Sequence, residues 1–186
     1  MEYVNHYDSP LGGITLTGDG EALTGLRFDD QRRFADMPDR SHEAGELPVF
    51  RETKRWLDLY FCGKEPGFTP KLSTRTTEFR EIVWRILLTI PYGKTVTYGE
   101  IADRAAKQMH LARMSAQAVG GAVGHNAIAL IIPCHRVIGA NGAMTGYAGG
   151  IERKMKLLEM ERKARSEVRF QDRVSGMRRA DIWQKA

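Results

Sequence analysis

The spacing of apolar residues changes near residue 75, and this change limits the fold more than any other feature of the chain. Before it, Glu2–Tyr7 alternates, Gly12–Gly18 is rich in Ile, Leu and Thr, and Leu23–Phe28 follows the turn Gly18-Asp19-Gly20. Period-two spacing broken by glycine turns predicts a small antiparallel meander. Asp29–Pro48 is polar and reads as a loop with one short helix. Phe50–Phe61, with Trp56, Leu57, Leu59, Tyr60 and Phe61, predicts a helix packed on the sheet. Beyond residue 75 the spacing is helical. Thr77 is placed to cap a helix whose Phe79, Ile82, Val83, Ile86, Leu87 and Ile90 recur at steps of three and four, ending at Pro91-Tyr92-Gly93. Between the two patterns, Gly63–Thr76 carries Pro66, Gly67 and Pro70 and reads as a linker. The expected class is α/β (α+β): a sheet-and-helix domain over residues 1–75, a mostly helical domain over 76–161, and a basic tail, 162–186, without an assigned role.

Within the second domain, Thr97 precedes Tyr98-Gly99-Glu100-Ile101-Ala102, which predicts a capping box with Glu100. A basic connector, Lys107–Arg113, leads to a helix over Ser115–Val123 made small by Ala116, Ala118, Gly120, Gly121 and Ala122. Two helices on a short connector fit a helix-turn-helix, whose second helix presses its backbone towards a DNA groove. Tight helix–helix packing uses the same small residues, and this pattern alone leaves both readings open. The chain has 186 residues, 42% hydrophobic and 27% charged, enough for a real core, and its net charge of +5 suits a polyanionic partner. The N-terminus lacks the basic-then-apolar pattern of a signal peptide, and no apolar run reaches the roughly 18 residues of a membrane span. A reducing, cytoplasmic setting is therefore expected. The two cysteines, Cys62 and Cys134, both lie in apolar sequence and suggest neither a disulfide framework nor a zinc cluster.

Cys134 stands in Ile132-Pro133-Cys134-His135-Arg136-Val137-Ile138, at the end of the apolar run Ala127–Ile132. The run reads as a buried strand that delivers the thiol to the edge of the core. A thiol is a nucleophile only as thiolate, and an adjacent imidazole and guanidinium favour that form, so a pKa below the roughly 8.5 of free cysteine is expected. A glycine-rich loop, Gly139–Gly150, and a helix over Ile151–Glu161 follow.

Taken in order, Tyr92-Gly93, Thr97–Ala102, Ala118-Val119-Gly120-Gly121-Ala122, Asn126, Ile132–Ile138, Gly146-Tyr147-Ala148-Gly149-Gly150 and Lys154–Glu161 resemble the O6-alkylguanine-DNA alkyltransferases, over about residues 77–161. The first domain resembles that family's ribonuclease-H-like domain in length and strand pattern, and the second its winged, helix-turn-helix-like DNA-binding domain. The resemblance implies direct reversal of damage. A modified guanine is flipped out of double-stranded DNA, and a cysteine takes its alkyl group irreversibly, once per molecule. It implies Cys134 as nucleophile and His135 as the base that takes the thiol proton through a water. Glu161 would orient His135, Asn126 would tie the recognition helix to the active-site segment, and Tyr98 would protonate the leaving guanine. Gln117, Ala118, Gly121 and Arg113 fall on the DNA side. Val137, Met144 and Tyr147 fall on the base pocket, with Val137 reading the guanine edge through its backbone. Arg136 reads as a phosphate contact or, by the family's use of it to hold the active-site segment, as a buried ion-pair partner of domain one. O4-alkylthymine is implied as a second candidate lesion. No cofactor, metal, membrane or obligate protein partner is implied, and a monomer is expected.

The chain departs from the family pattern in three places. Gln117 stands where the family usually carries an arginine that fills the gap left by the flipped base; it lacks the charge and stacking plane of a guanidinium. The connector Ala105–Ser115 is longer than the common form. Ala148 replaces a pocket serine. Two rival readings stay open on the residues: a DNA-binding lesion marker without chemistry, and a thiol hydrolase using Cys134 and His135.

Overall fold

A computed structural model describes residues 2–31 and 42–182. Strands β1 (Glu2–Ser9), β2 (Gly12–Gly18) and β3 (Leu23–Phe28) form the expected meander. β1 pairs antiparallel with β2 from Tyr3↔Gly18 to Ser9↔Gly12, and β2 with β3 from Ile14↔Phe28 to Gly18↔Leu23. A short β4 (His42–Ala44), not anticipated from the sequence, adds parallel to β1 and gives the order β3-β2-β1-β4. The short helix expected within Asp29–Pro48 falls largely on residues 32–41, outside the described residues. Central strand β2 is buried on both faces. Ile14 and Leu16 join the core, while the opposite-facing Thr15 hydroxyl donates to Asp29 (2.6 Å) and Thr17 pairs with Thr24 (3.0 Å), so neither buried hydroxyl is left unsatisfied.

Helix α1 (Pro48–Phe61) starts with proline in its first turn, where the missing N–H costs nothing, and turns Val49, Phe50, Trp56, Leu57 and Tyr60 inward. The linker is pinned rather than free. Leu23 N–H donates to Lys71 O (2.8 Å) and Ser73 N–H to Leu23 O (2.9 Å), laying Leu72 along the β3 edge.

Helix α2 (Glu78–Leu88) begins at Thr77, whose side chain accepts from Arg80 N–H. Helix α3 (Tyr98–Gln108) begins with the anticipated capping box: Thr97 accepts from Glu100 N–H (3.2 Å), and Glu100 accepts from Thr97 N–H (2.8 Å). Helix α4 (Ala116–Gly124) is capped by Ser115 (3.1 Å), and Trp84 Nε1–H of α2 donates to its Ala122 carbonyl (2.9 Å). A two-stranded parallel sheet, β5 (Val96–Thr97) with β6 (Val137–Ile138), joins the start of α3 to the residues just after Arg136. Helix α5 (Ile151–Ile182) runs on far past Glu161, so most of the basic tail continues that helix. One core unites both domains, with Phe28, Leu57 and Tyr60 in the same cluster as Val83, Leu87, Ile101 and Leu157. Among the described residues no helix is long and apolar enough to cross a membrane.

The buried strand expected over Ala127–Ile132 does not form. The segment is a series of turns, with Ile131 N–H on Ala129 O (2.8 Å), Ile132 N–H on Ile128 O (3.1 Å) and Leu130 at φ +66. Ile128 alone bridges to Leu26 of β3. The run is apolar because it is enclosed between the sheet and the helices, not because it is extended.

Candidate active site

The turn-rich segment delivers Cys134 to the start of a single 3-10 turn, Cys134–Arg136, whose three side chains are all buried. Asn126 sets its position. Its Nδ2 donates to Ile132 O (2.8 Å) and to Cys134 Sγ (3.1 Å), its Oδ1 accepts from Ile128 N–H (3.0 Å), and its own N–H is bonded to Val123 O of α4. Helix α4 and the thiol are thus joined through one residue, Asn126, by its backbone N–H and its side chain.

His135 is wholly buried, and its Nε2 lies 2.7 Å from Glu161 Oε1. The Glu161 carboxylate, also wholly buried, collects donors from four directions. His135 and Tyr60 OH (2.8 Å) reach Oε1, Gly93 N–H (2.9 Å) reaches Oε2, and Arg136 reaches both oxygens, with Nε 3.0 Å from Oε2 and Nη2 3.1 Å from Oε1. Gly93 makes its bond from φ +67, with Glu161 O only 3.1 Å from where a Cβ would stand, so a side chain would be both strained and crowded. Burial opposes the charge on Glu161, but His135 and Arg136 outweigh it and hold the carboxyl at about 2. An ionised carboxylate only accepts, so Nε2 carries the ring hydrogen and Nδ1 keeps its lone pair. Nδ1 is buried and has no protein partner. Burial pushes His135 below its ordinary value, with Glu161 pulling the other way.

Three expectations are revised here. Among the described residues, the ion-pair partner of Arg136 is not in domain one. Arg136 pairs with Glu161 of α5, donates Nη1 to Ile90 O (2.7 Å) and sits over the Tyr92 ring (5.5 Å). The Cys134 thiol is pushed up, not down. Burial dominates, against smaller opposing effects from Asn126, Lys154 and local backbone N–H groups. The imidazole and guanidinium, which were expected to favour thiolate, are both committed to Glu161. Cys62, expected in apolar surroundings, is exposed.

Tyr98 occupies the first position of α3, half-buried, with its ring 3.8 Å from where a Gly120 Cβ would stand. Burial raises its phenol, Thr145 opposing, so it is protonated at neutral pH. Tyr147 sets its ring edge-on to His135 (6.5 Å), with its hydroxyl buried and unpaired among the protein groups. Met144 is 44% exposed on the glycine-rich loop. Val137 is fully buried, and its carbonyl accepts from Lys154 Nζ (2.5 Å).

On α4, Gln117, Gly121 and Gly124 are exposed along one face, and a Cβ on Gly121 or Gly124 would meet nothing within 4 Å. Internal packing therefore does not require glycine at either place. Gly120 and Ala122 do face protein. The small residues thus divide between helix packing and an outward face open to close backbone approach. Ala118 is half-buried, and Arg113 is exposed on the connector before α4.

Three residues escaped the sequence reading. Tyr60, on the inner face of α1, reaches the Glu161 carboxylate from the N-terminal domain. Lys154 is wholly buried and donates to Val137 O and Thr145 O (2.8 Å), tying the Cys134 segment to the pocket loop. Its signal was available: Lys154, Leu157 and Glu161 recur at i, i+3, i+7, one buried helix face. Arg153 bridges the domains, donating to Leu11 O (3.0 Å), Asp30 (3.0 Å) and Gly149 O, with its guanidinium 4.1 Å above the Phe28 ring. Among the described residues no three His, Cys, Asp or Glu side chains gather as a metal site.

The fold and site define a two-domain protein that presents a helix-turn-helix beside a buried Cys–His–Glu constellation. Residues 3–74 match the ribonuclease-like domain of 6-O-methylguanine DNA methyltransferase, and residues 78–163 match its DNA binding domain. The methylated-DNA--protein-cysteine methyltransferase of Mycobacterium tuberculosis H37Rv is 48% identical over 160 residues, 84% of this chain and 92% of that one. Its counterpart in Methanosarcina acetivorans is 44% identical over 159 residues, 86% and 97% of the two chains. The crystal structure of Mycobacterium tuberculosis OGT in complex with DNA superposes with a TM-score of 0.75 at 45% identity, covering 87% of this chain and 94% of that one. The chain belongs to the 6-O-methylguanine DNA methyltransferase family.

Proposed function

We propose that the protein repairs double-stranded DNA by taking the alkyl group from O6 of guanine onto Cys134, once and irreversibly. The observation that carries this reading is the site's order. A buried thiol held by Asn126 is followed by a histidine whose Nε2–H is fixed on Glu161 and whose Nδ1 lone pair is uncommitted. The thiol proton passes to Nδ1 through a water. Sγ attacks the alkyl carbon, the Sγ–C bond forms as the C–O6 bond breaks, and the electron pair stays on guanine. Tyr98 gives guanine a proton and recovers one from His135, so the net transfer is one alkyl group to sulfur and one proton to guanine. A thiol protonated at rest is protected from stray electrophiles and ionises only as its proton is drawn off. Glu161 stays charged and stabilises the imidazolium that forms.

A base within the stack is out of reach of a buried thiol, so the guanine must be flipped. The open face of α4 supports close approach to DNA, with Gln117 placed to fill the vacated position, Ala118 and Gly121 lining the contact, and Arg113 near phosphate. Tyr147, Met144 and the Val137 backbone wall the pocket. Binding rests on phosphate contacts and is largely independent of sequence, approached from the minor-groove side. The protein is read as acting as a monomer.

Cys134→Ala tests this reading. It is expected to bind duplex DNA carrying O6-methylguanine with near-normal affinity and to transfer nothing. Transfer by Cys134→Ala, to Cys62 or elsewhere, refutes it.

A further inference from the structure

Tyr60 is the largest fully buried side chain among the described residues. It lies in the last turn of α1, in the domain that carries no other member of the relay. Its ring is held by stacking on Trp56 (5.2 Å) and by edge contacts with Phe61 (5.4 Å) and Tyr92 (5.9 Å). Its hydroxyl donates to Glu161 Oε1 at 2.8 Å and stands 3.2 Å from His135 Nε2. The oxygen that satisfies this buried phenol is therefore the same one that takes the His135 ring hydrogen at 2.7 Å.

An ionised carboxylate offers about four lone-pair positions. Those of Glu161 are all taken: Tyr60, His135 and Arg136 Nη2 reach Oε1, and Gly93 N–H and Arg136 Nε reach Oε2. This saturation has a consequence for a base. A buried carboxylate serving one imidazole alone favours the imidazolium strongly, and a histidine already protonated cannot accept a thiol proton. Each further donor on Oε1 draws electron density from the bond to His135 and weakens that bias.

We propose that Tyr60 is a positioning residue of the relay, contributed by the N-terminal domain. By sharing Glu161 Oε1 with His135, its phenol keeps His135 neutral and protonated at Nε2, so that Nδ1 is ready to accept. The role of this contact rests on the transfer reading above. It makes the N-terminal domain part of the reaction machinery, acting through Glu161 rather than touching the substrate.

Tyr60→Phe removes the hydroxyl and keeps the ring with its contacts to Trp56, Phe61, Tyr92 and, edge-on at 6.2 Å, His135. The test follows single-turnover methyl transfer from an O6-methylguanine duplex between about pH 5 and 8, together with the His135 ring nitrogen resonances of the DNA-free protein. The acid limb of the rate profile and the His135 titration should both move up by about half a unit to one unit, with duplex affinity unchanged. A fluorinated tyrosine at position 60, a stronger donor, should move both the opposite way. Unchanged limb and resonances, with or without a lower melting temperature, overturn the proposal and leave Tyr60 a packing residue. If the wild-type protein transfers no methyl group at any pH, the transfer reading fails instead, and the resonances still decide whether Tyr60 sets the state of His135.

Discussion

His135 Nε2 and Glu161 Oε1 lie 2.7 Å apart, although 26 residues separate them in the chain. The contact joins the 3-10 turn after Pro133 to the third turn of α5. It fixes which histidine nitrogen carries hydrogen and leaves the other with its lone pair uncommitted. The same carboxylate anchors Arg136 and the Gly93 turn, so one buried charge organises both the Cys134–Arg136 segment and the end of the α2 connection.

Stability should depend on pH with a maximum between about 6.5 and 8.5. Glu161 is depressed from 4.5 to about 2, so its contribution is complete above 4.5 and is lost as pH falls towards 2. That contribution is about 3 kcal/mol. His135 is depressed by burial, so the unfolded chain takes up protons first and stability already declines as pH falls below 6.5. Cys134 is raised above its ordinary value by burial, so at higher pH the unfolded chain ionises first and stability declines again. Urea unfolding across this range checks the shape. Glu161→Gln should flatten the decline below 4.5, because the group that titrates there is gone.

Small electrophiles should modify Cys62 well before Cys134 near neutral pH. Cys62 is exposed, whereas Cys134 is buried and protonated. Mass spectrometry of peptides after brief alkylation gives the ratio, which should be at least about tenfold in favour of Cys62. Faster labelling of Cys134 would mean that its thiolate is formed at rest.

Gln117 stands on the exposed face of α4. If it holds the extruded nucleotide, Gln117→Ala should slow transfer from duplex DNA by about tenfold or more, yet barely affect transfer from the free alkylated base, because only the duplex must be flipped. Gln117→Arg should raise the duplex rate or steepen its salt dependence, through added charge and stacking. Equal effects of Gln117→Ala on both substrates would move the role to another residue, Arg113 first.

Arg153 ties Leu11 and Asp30 of the first domain to Gly149 of the pocket loop. Its two bonds to backbone carbonyls and its place over Phe28 are part-buried, whereas the Asp30 side chain is 70% exposed. Arg153→Ala should therefore cost about 2–3 kcal/mol in chemical denaturation. Asp30→Asn should cost under about 1 kcal/mol, because an exposed ion pair is screened.

Much of this architecture was legible because its determinants are local. Alternation marked β1, Ile, Leu and Thr content marked β2, the Gly18-Asp19-Gly20 turn marked the start of β3, the Thr97–Glu100 box marked the start of α3, and the order of short motifs around Cys134 marked the site. The failures are non-local. Six apolar residues at Ala127–Ile132 read alike whether extended or turned, and the Leu26–Ile128 bridge and Asn126 decide the matter from elsewhere in the chain. β4 forms by three residues adding to β1, with no period of their own long enough to see. The direction of the Cys134 shift was misread because adjacency in sequence was taken for electrostatic access; His135 and Arg136 turn to Glu161, and burial then governs the thiol. Tyr60 reads as an ordinary core aromatic until the two domains meet.

The central claim is that one chain accepts one alkyl group on Cys134. Titrating the protein with increasing amounts of duplex DNA carrying O6-methylguanine, and following intact and peptide mass, tests it most directly. The account predicts a plateau at one methyl group per chain, located on Cys134, with unmodified guanine left in the DNA and no further turnover. Binding without any mass gain, continued turnover past one equivalent, or a methyl group on another residue would contradict it.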